Sequence, residues 1–102
     1  MPTYVALLNF TDQGIRTIRD TAQRGQRAAQ TAQKYGISFK GLYWTVGPYD
    51  VVNIFEAPDE ESAMAYMLEV GSWGSVRSTT LRAYEREEMS SIIERLGPAA
   101  GS

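Results

Sequence analysis

The residue pattern predicts an α+β domain of the split βαβ, ferredoxin-like kind: a four-stranded antiparallel sheet with two helices on one face, followed by a C-terminal helix. Three observations predict it. Apolar residues recur with period two in four short segments and with helical period between them, giving the order β-α-β-β-α-β-α. The chain has 102 residues, the size of one such domain. The segment GLYWTVGPYDVVNIFEA, Gly41 to Ala57, reads as two strands joined at Gly47-Pro48-Tyr49-Asp50, and both strands are apolar on both faces. Helices on one side of a small sheet cannot cover both faces, so the pattern asks for a partner on the other side.

Thr3 to Phe10 is the first strand, with Tyr4, Ala6, Leu8 and Phe10 alternating against Val5, Leu7 and Asn9. Thr11 or Asp12 caps the following helix, in which Ile15, Ile18 and Ala22 recur at helical spacing. Gly14 and Gly25 weaken that helix and predict a break near Arg24-Gly25, with a second segment from Gln26 to Tyr35 ended by Gly36. After the two central strands, Pro58 stops extension, and Asp59, Glu60 and Glu61 favour the positive end of a new helix. Its expected buried stripe is Ala63, Met64, Met67 and Leu68, and its expected end is Gly71. Ser75 to Tyr84 is the fourth strand. Glu85 to Leu96 is the last helix, with Met89, Ile92, Ile93 and Leu96 at i, i+3, i+4 and i+7. Residues 1–97 are expected to form a single domain and 98–102 a flexible tail.

The polar insertions suggest which face is open. Asn9, Tyr43, Thr45, Asn53, Thr80, Arg82 and Tyr84 fall in one parity set, and Ala6, Leu8, Leu42, Trp44, Val46, Val52, Ile54, Leu81 and Ala83 in the other. The cleaner set is expected against the helices. The mixed set, which also holds Val5, Leu7, Val51 and Phe55, is then the open face, too apolar for water. A second copy stacked on it buries the apolar part and leaves the polar groups to line a cavity. The expected assembly is a homodimer or a higher homo-oligomer.

Composition narrows the chemistry. There is no cysteine and no histidine, which removes thiolate nucleophiles, disulfides and the commonest transition-metal ligands. Proton transfer would fall to Asp, Glu, Tyr or Lys; no metal and no cofactor is expected. With 12 acids against 10 bases and a formal charge of −2, no field draws in a phosphate backbone, so nucleic acid is not an expected partner. No stretch approaches the roughly 20 apolar residues of a membrane span, and a cytoplasmic address follows as the expectation.

The residues capable of lining a cavity or binding a small-molecule ligand are Asn9, Tyr43, Tyr49, Asp50, Asn53, Arg82 and Tyr84. Asp50 either bonds to backbone amides in its turn or acts at a cavity mouth as a base or an anchor for a cation, with Tyr49 donating a hydrogen bond. Arg82 either pairs with a carboxylate such as Glu56 across subunits or holds an anionic ligand. Asn9 and Asn53 either bond one another across adjacent strands or hold a ligand carbonyl or a bridging water. Trp44 and Trp73 read as core or interface anchors.

The combination of NFTDQGIR (Asn9 to Arg16), GLYWTVGPYDVV (Gly41 to Val52), EAPDEESA (Glu56 to Ala63) and GSWGSVRSTTLRAY (Gly71 to Tyr84) resembles the GYD-domain proteins. That resemblance implies the dimeric α/β barrel fold and self-association. It implies no settled activity. Ala22-Gln23-Arg24-Gly25 departs from the family pattern, where a proline and a lysine are expected after Asp20-Thr21. The expected function is a non-catalytic homo-oligomeric module that binds a small ligand or builds an assembly. An alternative is a cofactor-independent oxygenase or isomerase acting on a small aromatic or lactone substrate, with Tyr43, Asn53 and Arg82 orienting it and Asp50 moving a proton. A third reading is a protein-interaction partner that uses the sheet edge or the last helix.

Overall fold

The computed structural model describes residues 1–99; positions 100–102 of the expected tail lie outside the described residues. Its strands are β1 (Thr3–Phe10), β2 (Ser38–Trp44), β3 (Val51–Glu56) and β4 (Val76–Ala83). Its helices are α1 (Asp12–Arg16), α2 (Thr21–Lys34), α3 (Glu60–Ser72) and α4 (Arg86–Glu94), with a 3-10 turn at Ile18–Asp20 between the first two. The strands form one antiparallel sheet in the order β2-β3-β1-β4, the ferredoxin-like arrangement.

The helical break lies at Thr17, not at Gly25. Gly25 sits inside α2 because the helix crosses β2 closely there: a Cβ on it would stand 3.0 Å from Leu42 Cδ2 and 3.3 Å from the Trp44 ring. The missing side chain allows helix–sheet contact, which outweighs its weak helix propensity. Helix α3 likewise runs through Gly71 and turns away only at Gly74. The buried stripe of α3 is Ala63, Tyr66, Met67 and Val70, whereas Met64 and Leu68 are 62% and 64% exposed. The expected stripe is thus correct at Ala63 and Met67 and displaced at Met64 and Leu68, where Tyr66 and Val70 take the buried places.

The core lies between the sheet and α2 and α3. Tyr4 stacks on Phe55 with ring centroids 5.5 Å apart, and Tyr66 meets Phe55 edge-on at 5.2 Å. Small residues Ala28 and Ala32 bring α2 down onto this layer.

Strand register corrects the expected open face. Residues paired directly across an antiparallel ladder point to the same side. Ala6 pairs with Asn53 and with Thr80, and Tyr4 pairs with Phe55 and Arg82. Val51, Asn53, Phe55, Thr80 and Arg82 therefore share the helix side with Ala6, while Val52, Ile54, Leu81 and Ala83 lie on the open side with Val5 and Leu7. The expectation for β1 holds, and so does that for Leu42 and Trp44; β3 and β4 are reversed. A bulge between Phe39 and Gly41 adds a further parity change in β2. Polarity misleads here for two reasons: Asn53 is buried with its hydrogen bonds made, and Thr80 and Arg82 stand on an edge strand that the helices leave partly uncovered.

Candidate functional site

The turn at Gly47-Pro48-Tyr49-Asp50 is held by backbone geometry. Gly47 has φ 138°, a conformation that side chains disfavour. Asp50 then continues the sheet: its N–H donates to Leu8 O at 2.8 Å, its carbonyl accepts from Thr45 N at 2.8 Å, and its Oδ2 accepts from Phe10 N at 2.9 Å. The Asp50 carboxylate thus bonds a backbone amide, in a neighbouring strand rather than within its own turn. Thr45 Oγ1 donates to Tyr49 O at 2.6 Å and closes the loop.

Opposite this turn, α1 is pinned to the start of β4. Thr11 caps α1 by accepting from Gly14 N at 3.1 Å and donates to Gly74 O at 2.5 Å; its own N–H reaches Ser75 O at 3.0 Å. Gly14 packs so closely on Ser75 that a Cβ would lie 2.0 Å from that residue's carbonyl oxygen.

Asn53 is buried on the helix side, donating to Gly41 O at 2.9 Å and accepting from Tyr66 Oη at 2.9 Å. Burial pushes the Tyr66 hydroxyl well above its usual range, so it stays protonated and acts as a donor. Sequence periodicity missed Tyr66; the spacing of Ala63, Met67 and Val70, which brackets it, is the signal that would have found it. A cleft of about 60 Å³ opens beside this pair, walled by Leu42, Trp44, Val51, Val70 and Trp73, with Arg24 at its edge. Arg24 donates to the carbonyls of Thr17 and Gly14 and to Thr17 Oγ1.

Arg82 forms a corner with α4. Its Nη2 lies 3.0 Å from Glu88 Oε2, its guanidinium sits 4.4 Å from the Tyr84 ring centroid, and it donates to the carbonyl of Ala83. Within the chain Glu56, the carboxylate expected to meet Arg82 across subunits, pairs with Lys40 at 3.1 Å. The hydrogen bond from Glu85 N, followed by that from Arg82, holds the Glu88 carboxyl below its usual range. Tyr4 Oη is the one buried side-chain polar atom without a hydrogen-bond partner among the described residues, and burial raises its pKa.

The seven candidate residues do not converge within one chain. Asn9 and Tyr43 face the open side, and Asn53 faces the helices and does not meet Asn9. Tyr49 and Asp50 form the turn. Arg82 and Tyr84 stand at the β4–α4 corner. No group of three or more His, Cys, Asp or Glu arranged to hold a metal ion occurs among the described residues. No helix among them is long and apolar enough to cross a membrane.

What does form a continuous surface is the open face, where Val5 and Leu7 lie between Val52 and Ile54 on one side and Leu81 on the other. Leu81 is 47% exposed and Tyr43, at the margin, 57%. No helix of the described chain covers this face.

The profile of the GYD domain matches residues 4–93. The chain belongs to the GYD-domain family. A relative from Thermus thermophilus named "Glutamine synthetase and cystathionine beta-lyase binding protein" is 36% identical over 84 residues, covering 81% of this chain and 88% of the relative. The crystal structure of a second Thermus thermophilus protein, TTHA0845, superposes with a TM-score of 0.54 at 24% identity, over 84% of this chain and 100% of the other. That likeness establishes the shared fold. In this GYD domain the motif residues Gly47 and Asp50 fix the end of a hairpin, and Gly14 fixes the seat of α1.

Proposed function

We propose that this GYD protein is a non-catalytic binding module of the cytoplasm that self-associates through the open face of its sheet and acts by docking on protein partners. The single observation that carries the reading is the apolar band of Val5, Leu7, Val52 and Ile54, each half-buried, with Leu81 exposed beside them. Four strands at about 4.8 Å spacing and eight residues at about 3.3 Å rise give a face of roughly 500 Å². Two such faces together bury roughly 1,000 Å², the size at which a specific protein interface begins. A second copy is the occupant that matches the band in length and width. The scatter of Asn9, Asn53, Asp50 and Arg82 supports binding over turnover, because catalysis needs groups aimed at one reacting atom. The name of the Thermus relative supports a protein partner and nominates two enzymes to try first.

Sedimentation equilibrium at micromolar concentration tests the first half, with a mass of at least twice 11.3 kDa expected. A single-chain mass at that concentration refutes self-association. Surface plasmon resonance with glutamine synthetase and cystathionine beta-lyase from the same source tests the second half. Saturable binding to either is the expected result, and flat responses to both remove the support that the relative lends.

A further inference from the structure

Helix α4 is built to be buried and is not. Met89, Ile92, Ile93 and Leu96 form one stripe and are 47%, 37%, 51% and 74% exposed. Its start is fixed by the Glu85–Glu88 capping box and tied to β4 by the Arg82–Glu88 ion pair. It projects: the radius of gyration is 16.4 Å and the longest dimension 58 Å, against about 13 Å for the radius of a compact chain of this length.

The same chain carries an unfilled apolar groove of about 470 Å³ between α3 and β4, floored by Tyr4 and Met67 and walled by Met64, Leu68 and Thr80. Met64 and Leu68 stand one helical turn apart, the spacing that receives an amphipathic helix with anchors at i, i+3, i+4 and i+7. We propose that the α4 stripe seats in the α3–β4 groove of a second copy of this chain, so that two copies exchange their C-terminal helices. The inference deepens the self-association reading, but it concerns a different surface from the open sheet face.

Two observations favour a second copy over other occupants. Stripe and groove are present in equal number on every chain, so a two-fold pair fills both reciprocally. The exposed apolar groups of one stripe and one groove come to roughly 600 Å², and a reciprocal pair to roughly 1,200 Å², the lower end of the standard interface range.

The chain has no cysteine, so introduced thiols report without background. Ile93→Cys and Leu68→Cys proteins, one isotopically labelled, are mixed and oxidised, with circular dichroism confirming that each is folded. The expected product is a disulfide joining the two different chains, in at least tenfold excess over either self-linked species. Met89→Cys with Met64→Cys is a second pair that should behave the same way. The inference is overturned if neither pair exceeds the self-linked background, or if the Ile93→Cys, Leu68→Cys double variant at high dilution closes within one chain instead. The Ile54→Arg substitution keeps the two readings apart. If it alone dissociates the assembly and neither cysteine pair links, the helix exchange is refuted and the sheet contact stands. If the pairs link and Ile54→Arg leaves the mass unchanged, the sheet contact is refuted and the exchange stands.

Discussion

Asp50 illustrates how a residue that invites a chemical role is absorbed by structure. Its carboxylate satisfies the Phe10 amide at 2.9 Å while its own backbone extends the pairing to Leu8 and Thr45. Asp50→Ala should therefore destabilise the fold by about 1–3 kcal/mol, the cost of leaving a half-buried amide without its acceptor, measured by urea unfolding. Gly14→Ala should cost more than about 2 kcal/mol, since its methyl would lie 2.0 Å from the Ser75 carbonyl, a backbone atom that cannot swing aside. A stable Gly14→Ala protein would show that α1 can lift off β4 freely. The sequence displayed both residues plainly, as Gly14 in NFTDQGIR and Asp50 in the GPYD turn, but not their partners. Those partners, Ser75 and Phe10, lie 61 and 40 positions away, and distance along the chain carries no record of contact in one sequence.

At the scale of elements, strands and helices were legible to within a few residues because their apolar periods differ, two against 3.6. The interior of α2 was less legible. Gly25 weakens a helix by local propensity, yet here it marks the crossing over Leu42 and Trp44. The α3 stripe failed for a related reason: Met64 and Leu68 are as apolar as Met67 and Val70, and only the position of the sheet decides which pair is covered. Helix α4 has an identifiable pH response. Its Glu88 carboxyl is held low by the Glu85 amide and Arg82, so the charged form is favoured in the folded state. The capping contribution is then fully present above the usual glutamate range and is lost as pH falls through the depressed value. Amide protection at Met89 and neighbouring α4 positions, taken relative to the intrinsic exchange rate at each pH, should fall on acidification to about pH 3, below the unperturbed glutamate value. Protection in β1 should persist over the same range; equal loss in both would mean that α4 does not unfold separately.

For the whole molecule, the decisive property is which face the sheet shows to the outside. Ile54 stands in the middle of the open band beside Val5. Ile54→Arg should weaken self-association at least about a thousandfold, by leaving a charge unpaired inside an apolar interface, while the monomer stays folded because that face has no intrachain partner. Sedimentation of the variant against the parent measures this, and an unchanged mass would move the interface elsewhere. The α+β class, the order of elements, the GYD membership and the surplus of apolar strand residues could all be read from the chain unaided, since each is written in local periodicity and motif. That Asn53 and Arg82 turn toward the helices, and that Val52, Ile54 and Leu81 turn away, emerged only in the folded molecule. A strand's alternation is symmetric under exchange of faces, and only the register set by a hairpin, a bulge and a neighbouring strand breaks that symmetry.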